Sequence, residues 1–216
     1  HTKVITFLKV FLAALSFLFF IGFGFSIYKN TYNGINLQGQ ETKIFQYNDI
    51  AYDLSQWKLF NGVMFARFKD EKKNIQYEIN IRDGKLNGEI TTYYPNGNLK
   101  SVGSYKENTK DDGCALYYYE NGNVEAKFCF KNGQQHGIQE MFYKNGNKKS
   151  QSYYREGQAL GDQFFFRENG TLLYKVDNTN ETIEEFDEEG KASVIDLNEE
   201  NKQKIRKKME EILWKN

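Results

Sequence analysis

TTYYPNGN (91–98), LYYYENGN (116–123), EMFYKNGN (140–147) and FFFRENGT (164–171) are one phrase written four times. Their glycines Gly97, Gly122, Gly146 and Gly170 stand 25, 24 and 24 residues apart. A fixed period of this length means one supersecondary unit copied and stacked, each copy burying a face that it cannot bury alone. A second glycine stands nine positions before each: Gly88, Gly113, Gly137 and Gly161. The run between the two glycines is rich in aromatic and β-branched residues, which suit a pleated, half-buried strand. Asn-Gly then supplies a tight reversal.

A second strand follows, ending in an aromatic eight residues past the glycine at Tyr105, Phe130 and Tyr154. Asn132-Gly133 and Glu156-Gly157 mark a further turn, replaced in the first copy by Glu107-Asn108 with one extra residue. The unit is strand, turn, strand, turn. The fold class is therefore mainly β, an elongated antiparallel meander of hairpins. Upstream, Asp83-Gly84 repeats the turn, Ile75–Ile81 alternates like a strand, and Phe65–Phe68 is its candidate partner; downstream, Glu184–Val194 reads as a shortened acidic hairpin. About five hairpins are expected over residues 57–195.

The pattern Tyr93-Tyr94-x-Asn96-Gly97-Asn98 and its later copies, with Gly133, Gly137, Gly157 and Gly161, resembles the MORN-repeat variant of bacterial YwqK-type proteins. That resemblance covers about residues 60–195. It implies a scaffolding or membrane-associated role, and in some relatives neutralisation of a toxin. The eukaryotic Y-x-G-x-W signature has no good copy here.

Tyr93, Tyr118, Phe142 and Phe166 form an unbroken aromatic row. One residue later come Tyr94, Tyr119, Tyr143 and Arg167, which as strand neighbours point to the opposite face. Cross-strand packing accounts for both rows. The first row is expected to be the structural spine. The second, broken at Arg167, is the expected partner-binding stripe, because Tyr and Arg are enriched where proteins meet.

Cys114 and Cys129 lie in the two strands of one repeat. A two-residue turn at Asn121-Gly122 would place them opposite each other at a hydrogen-bonded site. A three-residue loop with a bulge would instead set Cys114 against Phe128. A cross-strand disulfide and ordinary packed thiols both remain open.

Val10–Tyr28 is a run of 19 residues without a formal charge. As a helix it would span about 28 Å, close to a bilayer's hydrocarbon thickness. A transmembrane helix at 1–28 is expected, with Gly24-Phe25-Ser26 as the cleavage site of a competing signal-peptide reading. Lys3 and Lys9 before it favour a cytoplasmic or matrix amino end, with the repeats on the other side. Residues 29–56 read as a polar tether or an irregular segment holding a first irregular strand pair. Asp177–Glu200 carries ten acids against Lys191 alone, whereas 201–216 carries six bases and two acids. Residues 196–216 are expected to form an amphipathic helix with Asn198 as N-cap and Ile205, Met209, Ile212 and Leu213 as its apolar face. Its expected task is to cover the last strand edge; docking on a partner, or on a membrane through Lys202, Lys204, Arg206, Lys207 and Lys208, competes.

The formal net charge of zero argues against nucleic-acid binding. The glycines mark evenly spaced turns rather than a phosphate loop, and the acids from Glu184 to Glu189 read as a solvated face. His136 stands alone between two turns. No catalytic residue, metal site, cofactor or small-molecule substrate is expected. The expected function is a membrane-anchored accessory subunit contacting other membrane-protein subunits, with the bilayer engaged by residues 10–28. Toxin neutralisation and surface recognition are the alternatives.

Overall fold

The computed structural model describes residues 31–180, 182–195 and 198–214. The expected membrane helix lies outside the described residues, among which no helix is long and apolar enough to cross a membrane. The chain divides into two units, one running to Ala66 and taking in Asn80–Lys85, the other comprising Arg67–Ile79 and Leu86 onward.

In the first unit the stretch expected as a polar tether or a first irregular strand pair forms strands, not a tether. The unit's strands are β1 (Thr31–Asn36), β2 (Glu41–Tyr47), β3 (Ile50–Asp53), β4 (Lys58–Leu59) and β5 (Gly62–Arg67). β1 pairs antiparallel with both β2 and β5, and β2, β3 and β4 follow as neighbours. The reason is a real core, with Ile44, Phe45, Ala51, Phe60, Met64 and Ile81 all buried. Asn48 and Asp49 both take positive φ in the two-residue turn joining β2 to β3, the geometry that matches strand twist. Gly62 is obligatory, since a Cβ there would stand 2.1 Å from the Ile35 carbonyl oxygen.

Two buried polar residues hide this core from a reading of hydropathy. Asn36 Oδ1 accepts the N–H groups of Gln38 and Gln40, both at 3.0 Å. Asp53 Oδ1 accepts from Thr42 Oγ1 at 2.8 Å, Ser55 N at 2.8 Å and Ser55 Oγ at 2.6 Å. Burial pushes the Asp53 carboxyl up, but the Ser55 and Thr42 bonds outweigh it and hold the group below its ordinary 3.8. The folded value is depressed, so this contribution is present above the unfolded value and fades as pH falls through the folded one. Melting curves from pH 6 to pH 2 should therefore show a stability loss below about pH 4 that is smaller in Asp53→Asn. Parallel pH profiles for the two proteins would contradict the assignment.

The second unit is a meander. β6 (Ile75–Arg82) and β7 (Lys85–Tyr93) carry residues of both units. They are followed by β8 (Leu99–Lys106), β9 (Thr109–Lys110), β10 (Gly113–Tyr118), β11 (Val124–Lys131), β12 (Gln134–Gln135) and β13 (Gly137–Phe142). The series ends with β14 (Lys148–Arg155), β15 (Gln158–Phe166), β16 (Leu172–Asp177), β17 (Thr182–Phe186) and β18 (Ala192–Ile195). From β7 each long strand pairs antiparallel with the next, the short β9 and β12 lying in the returns between β8 and β10 and between β11 and β13. The acidic hairpin expected at 184–194 is β17–β18.

The repeated turn is a three-residue loop. In the second copy Tyr119 N donates to Asn123 O at 2.9 Å, Gly122 N to Tyr119 O at 2.9 Å, and Gly122 alone of Asn121-Gly122 takes positive φ, at 89°. Asn121 instead uses its side chain, whose Oδ1 accepts Asn123 N at 3.1 Å. Each hairpin then carries a register shift, at Thr92/Tyr93, Tyr117/Tyr118, Met141/Phe142 and Phe165/Phe166.

The helix α1 (Glu199–Trp214) closes the chain. Asn198 caps it, Oδ1 accepting Asn201 N at 2.9 Å, and Ile205 is buried, while Met209, Ile212 and Leu213 are half-buried. Its place corrects the expectation of an edge cap. Lys208 Nζ reaches Tyr174 Oη of β16 at 3.1 Å and Glu185 of β17 at 3.4 Å, so the helix lies on the sheet face. Tyr174, 1% exposed, is the large apolar surface that draws it there. On β18, Val194 is 69% exposed.

Candidate binding surface

The polar ends of the Tyr94, Tyr119, Tyr143 and Arg167 column are engaged within the sheet. Tyr94 Oη donates to Tyr118 O, Tyr119 Oη to Phe142 O and Tyr143 Oη to Phe166 O, each at 2.7 Å. Each tyrosine thus ties its own turn to the corresponding strand end of the next copy. Tyr119 is 5% and Tyr143 9% exposed. Burial, then Glu125 and Glu120 nearby, raises the Tyr94 hydroxyl; burial also leads for Tyr119 and Tyr143. These hydroxyls stay protonated and keep donating.

Arg167 continues the column rather than breaking it. Its guanidinium donates to Phe186 O, and to Leu172 O at 2.8 Å. The last hairpin is shorter, and the longer Arg side chain reaches the carbonyl that a tyrosine reaches elsewhere. The residues skipped at the register shifts, Lys100, Glu125, Lys149 and Leu173, interleave with this column. Lys100 Nζ lies 5.5 Å from the Tyr94 ring centre and Lys149 Nζ 5.0 Å from that of Tyr143. Burial lowers the Lys149 ammonium. The structural task expected of the first row is thus carried by this column, and Tyr93, Tyr118, Phe142 and Phe166 are half-buried residues beside the bulge.

A second ladder runs along the turns. Asn98 Nδ2 donates to Glu120 O at 2.9 Å, Asn123 Nδ2 to Lys144 O at 2.8 Å and Asn147 Nδ2 to Glu168 O at 2.8 Å. This is the physical content of Asn-Gly-Asn: the first Asn shapes its own turn through Oδ1, and its Nδ2 joins the second Asn in binding the next turn, Asn121 to Lys144 O at 3.2 Å and Asn145 to Glu168 O at 2.9 Å. The fourth copy has Thr171, which bonds Asn169 within its own turn instead.

Cys114 and Cys129 are joined as a disulfide. The loop has three residues, as one of the two registers assumed, but the shift at Tyr117/Tyr118 restores Cys114 opposite Cys129. The site is also not a hydrogen-bonded pair. Cys129 turns its N–H and C=O away from β10, to Gln139 Oε1 at 2.8 Å, Gln139 Nε2 at 2.9 Å and His136 N at 2.9 Å. Gln139, buried, thereby stands in for a missing peptide of the β11–β13 ladder.

An exposed apolar row lies elsewhere. Ile138 faces Tyr153 and Tyr153 faces Leu160 across β13, β14 and β15, and the three are 46%, 38% and 37% exposed. Sequence reading missed this row, though its signal was present: counted from the repeat glycines, Ile138 and Tyr153 occupy the positions that Cys114 and Cys129 hold one copy earlier. Among the described residues no group of three or more His, Cys, Asp or Glu is placed to hold a metal ion.

The MORN repeat variant model matches residues 86–107, 111–132 and 135–156. No curated protein matches the chain. Among solved structures, the crystal structure of the GtfA/B complex bound to UDP and GlcNAc aligns with 77% of this chain and 26% of that one, at 9% identity and a TM-score of 0.21. The chain spans about a quarter of that relative's length. The MORN repeats coincide with the copies held by the Tyr94, Tyr119 and Tyr143 hydroxyls.

Proposed function

We propose that the chain is a non-catalytic, membrane-anchored accessory subunit whose MORN repeats hold another subunit of a membrane assembly. The observation that carries this reading is the apolar row Ile138, Tyr153 and Leu160, displayed on three neighbouring strands. Contiguous exposed apolar surface on a rigid sheet favours a protein partner over a small-molecule substrate. The uncharged 10–28 stretch supports attachment to a bilayer. The Cys114–Cys129 disulfide supports an oxidising compartment for the repeats, in line with the lysines before that stretch.

Extraction of the full chain in mild detergent, followed by native sizing and identification of co-purifying proteins, tests the proposal. The natural chain should run with a membrane-protein partner. The Ile138→Ser, Tyr153→Ser, Leu160→Ser variant should run alone, with a melting temperature within a few degrees of the parent because surface changes cost little. A natural chain that runs as a lone monomer, or a variant that keeps the partner, would contradict it. Capture of a small soluble protein would replace this reading with toxin neutralisation.

A further inference from the structure

The two inter-repeat returns at β8–β10 and β11–β13 are built alike but filled differently. In the second, pairing runs through Lys127 and Glu140, lapses, and resumes at Phe130 and Gln135. The lapse is bridged by the Gln139 carboxamide, whose Oε1 and Nε2 hold the N–H and C=O of Cys129. In the first, pairing runs through Val102 and Leu116, lapses, and resumes at Tyr105 and Lys110. Counting from Gly113 and Gly137, Ala115 occupies the position of Gln139; counting from Gly97 and Gly122, Ser104 occupies that of Cys129. Alanine has no amide to offer.

Ser104 is oriented as Cys129 is. Its C=O accepts Asp111 N at 3.0 Å, as that of Cys129 accepts His136 N. In a strand, a residue's N–H and C=O point to the same side, so the Ser104 N–H is also aimed across the lapse. There the molecule has a cavity of about 220 Å³, bordered by Ser104, Ala115, Asp111, Lys110, Tyr117 and Phe130. The return is one residue longer here, and the carboxylate of the added Asp112 is drawn off to accept Asn132 N at 2.7 Å. Lys110 Nζ lies 4.1 Å from the Phe130 ring centre and forms one wall.

We propose that this lapse at Ser104 is a binding slot for a carboxamide, filled from outside as Gln139 fills the next one from within. The ligand's oxygen accepts the Ser104 N–H and its N–H₂ donates to the Ser104 C=O. The source is either an Asn or Gln side chain of a partner protein or a small free amide. The slot stands independently of the Ile138–Tyr153–Leu160 row, so failure of either leaves the other standing.

The test follows the Ser104 amide resonance of the ¹⁵N-labelled full chain in detergent micelles. Propionamide should shift it saturably, while propionate at the same concentration should not. A blocked Ala-Gln-Ala peptide that saturates at a concentration about tenfold lower than propionamide identifies a protein side chain as the source, since flanking contacts then add about 1.4 kcal/mol. Equal concentrations identify a small amide. Ala115→Gln should abolish the response and slow hydrogen exchange of the Ser104 N–H by about tenfold or more, because the slot is then filled internally. Ala115→Leu, which blocks the slot without an amide, should abolish the response without that slowing. A Ser104 resonance unmoved by propionamide, or an Ala115→Gln chain that responds like its parent, would overturn the proposal.

Discussion

Tyr143→Ala is expected to cost about 3–5 kcal/mol of stability, the range for truncating a buried aromatic. The ring is buried, Lys149 packs over it, and its hydroxyl holds the Phe166 carbonyl. Truncation removes all three contacts at once and leaves that carbonyl without its donor. The loss should appear in urea unfolding as a lower midpoint, and partner capture should fall only with the folded fraction. A variant that is stable to within about 1 kcal/mol yet loses its partner would return this column to the role of a contact surface.

Removal of residues 198–216 is the second large effect. α1 sits on Tyr174, whose hydroxyl donates to Glu185 Oε1 at 2.8 Å, and brings Lys208 to both partners of that bond. Burial pushes the Tyr174 hydroxyl up, with Glu185 adding to it and Lys208 opposing. Deleting the helix uncovers the ring, and aromatic residues bury roughly 150–250 Å² each. The truncated chain should melt several degrees lower and bind a hydrophobic dye. Ile205→Ala, which keeps the helix but thins its contact, should cost about 2–4 kcal/mol. A truncated chain that melts like the parent and only loses association would instead make α1 a docking element.

Periodicity made the meander legible. Four Asn-Gly phrases at a 24-residue step fixed the hairpins, and Asn198 fixed the start of the last helix. Three things were not legible, each for a physical reason. The first strands were masked because their polar members are buried and locally bonded, as Asn36 and Asp53 are. Neighbouring aromatics such as Tyr118 and Tyr119 are equivalent in composition, and only the bulge beside them decides which ring reaches the next repeat. Gln139 reads as an ordinary surface residue, yet it is buried because a lapse in the ladder needs an amide. Tyr94, Tyr119, Tyr143 and Arg167 were singled out for their residue types, and those same donor groups are consumed by carbonyls of the following copy.

The claim that this tyrosine column holds the repeats together is tested most directly by urea unfolding of Tyr119→Phe. The change removes one hydroxyl, keeps the ring, and leaves the Phe142 carbonyl without the bond now 2.7 Å long. A loss of about 1–2 kcal/mol, with partner capture unchanged in the folded protein, is the expected result. Unchanged stability together with weakened capture would contradict it.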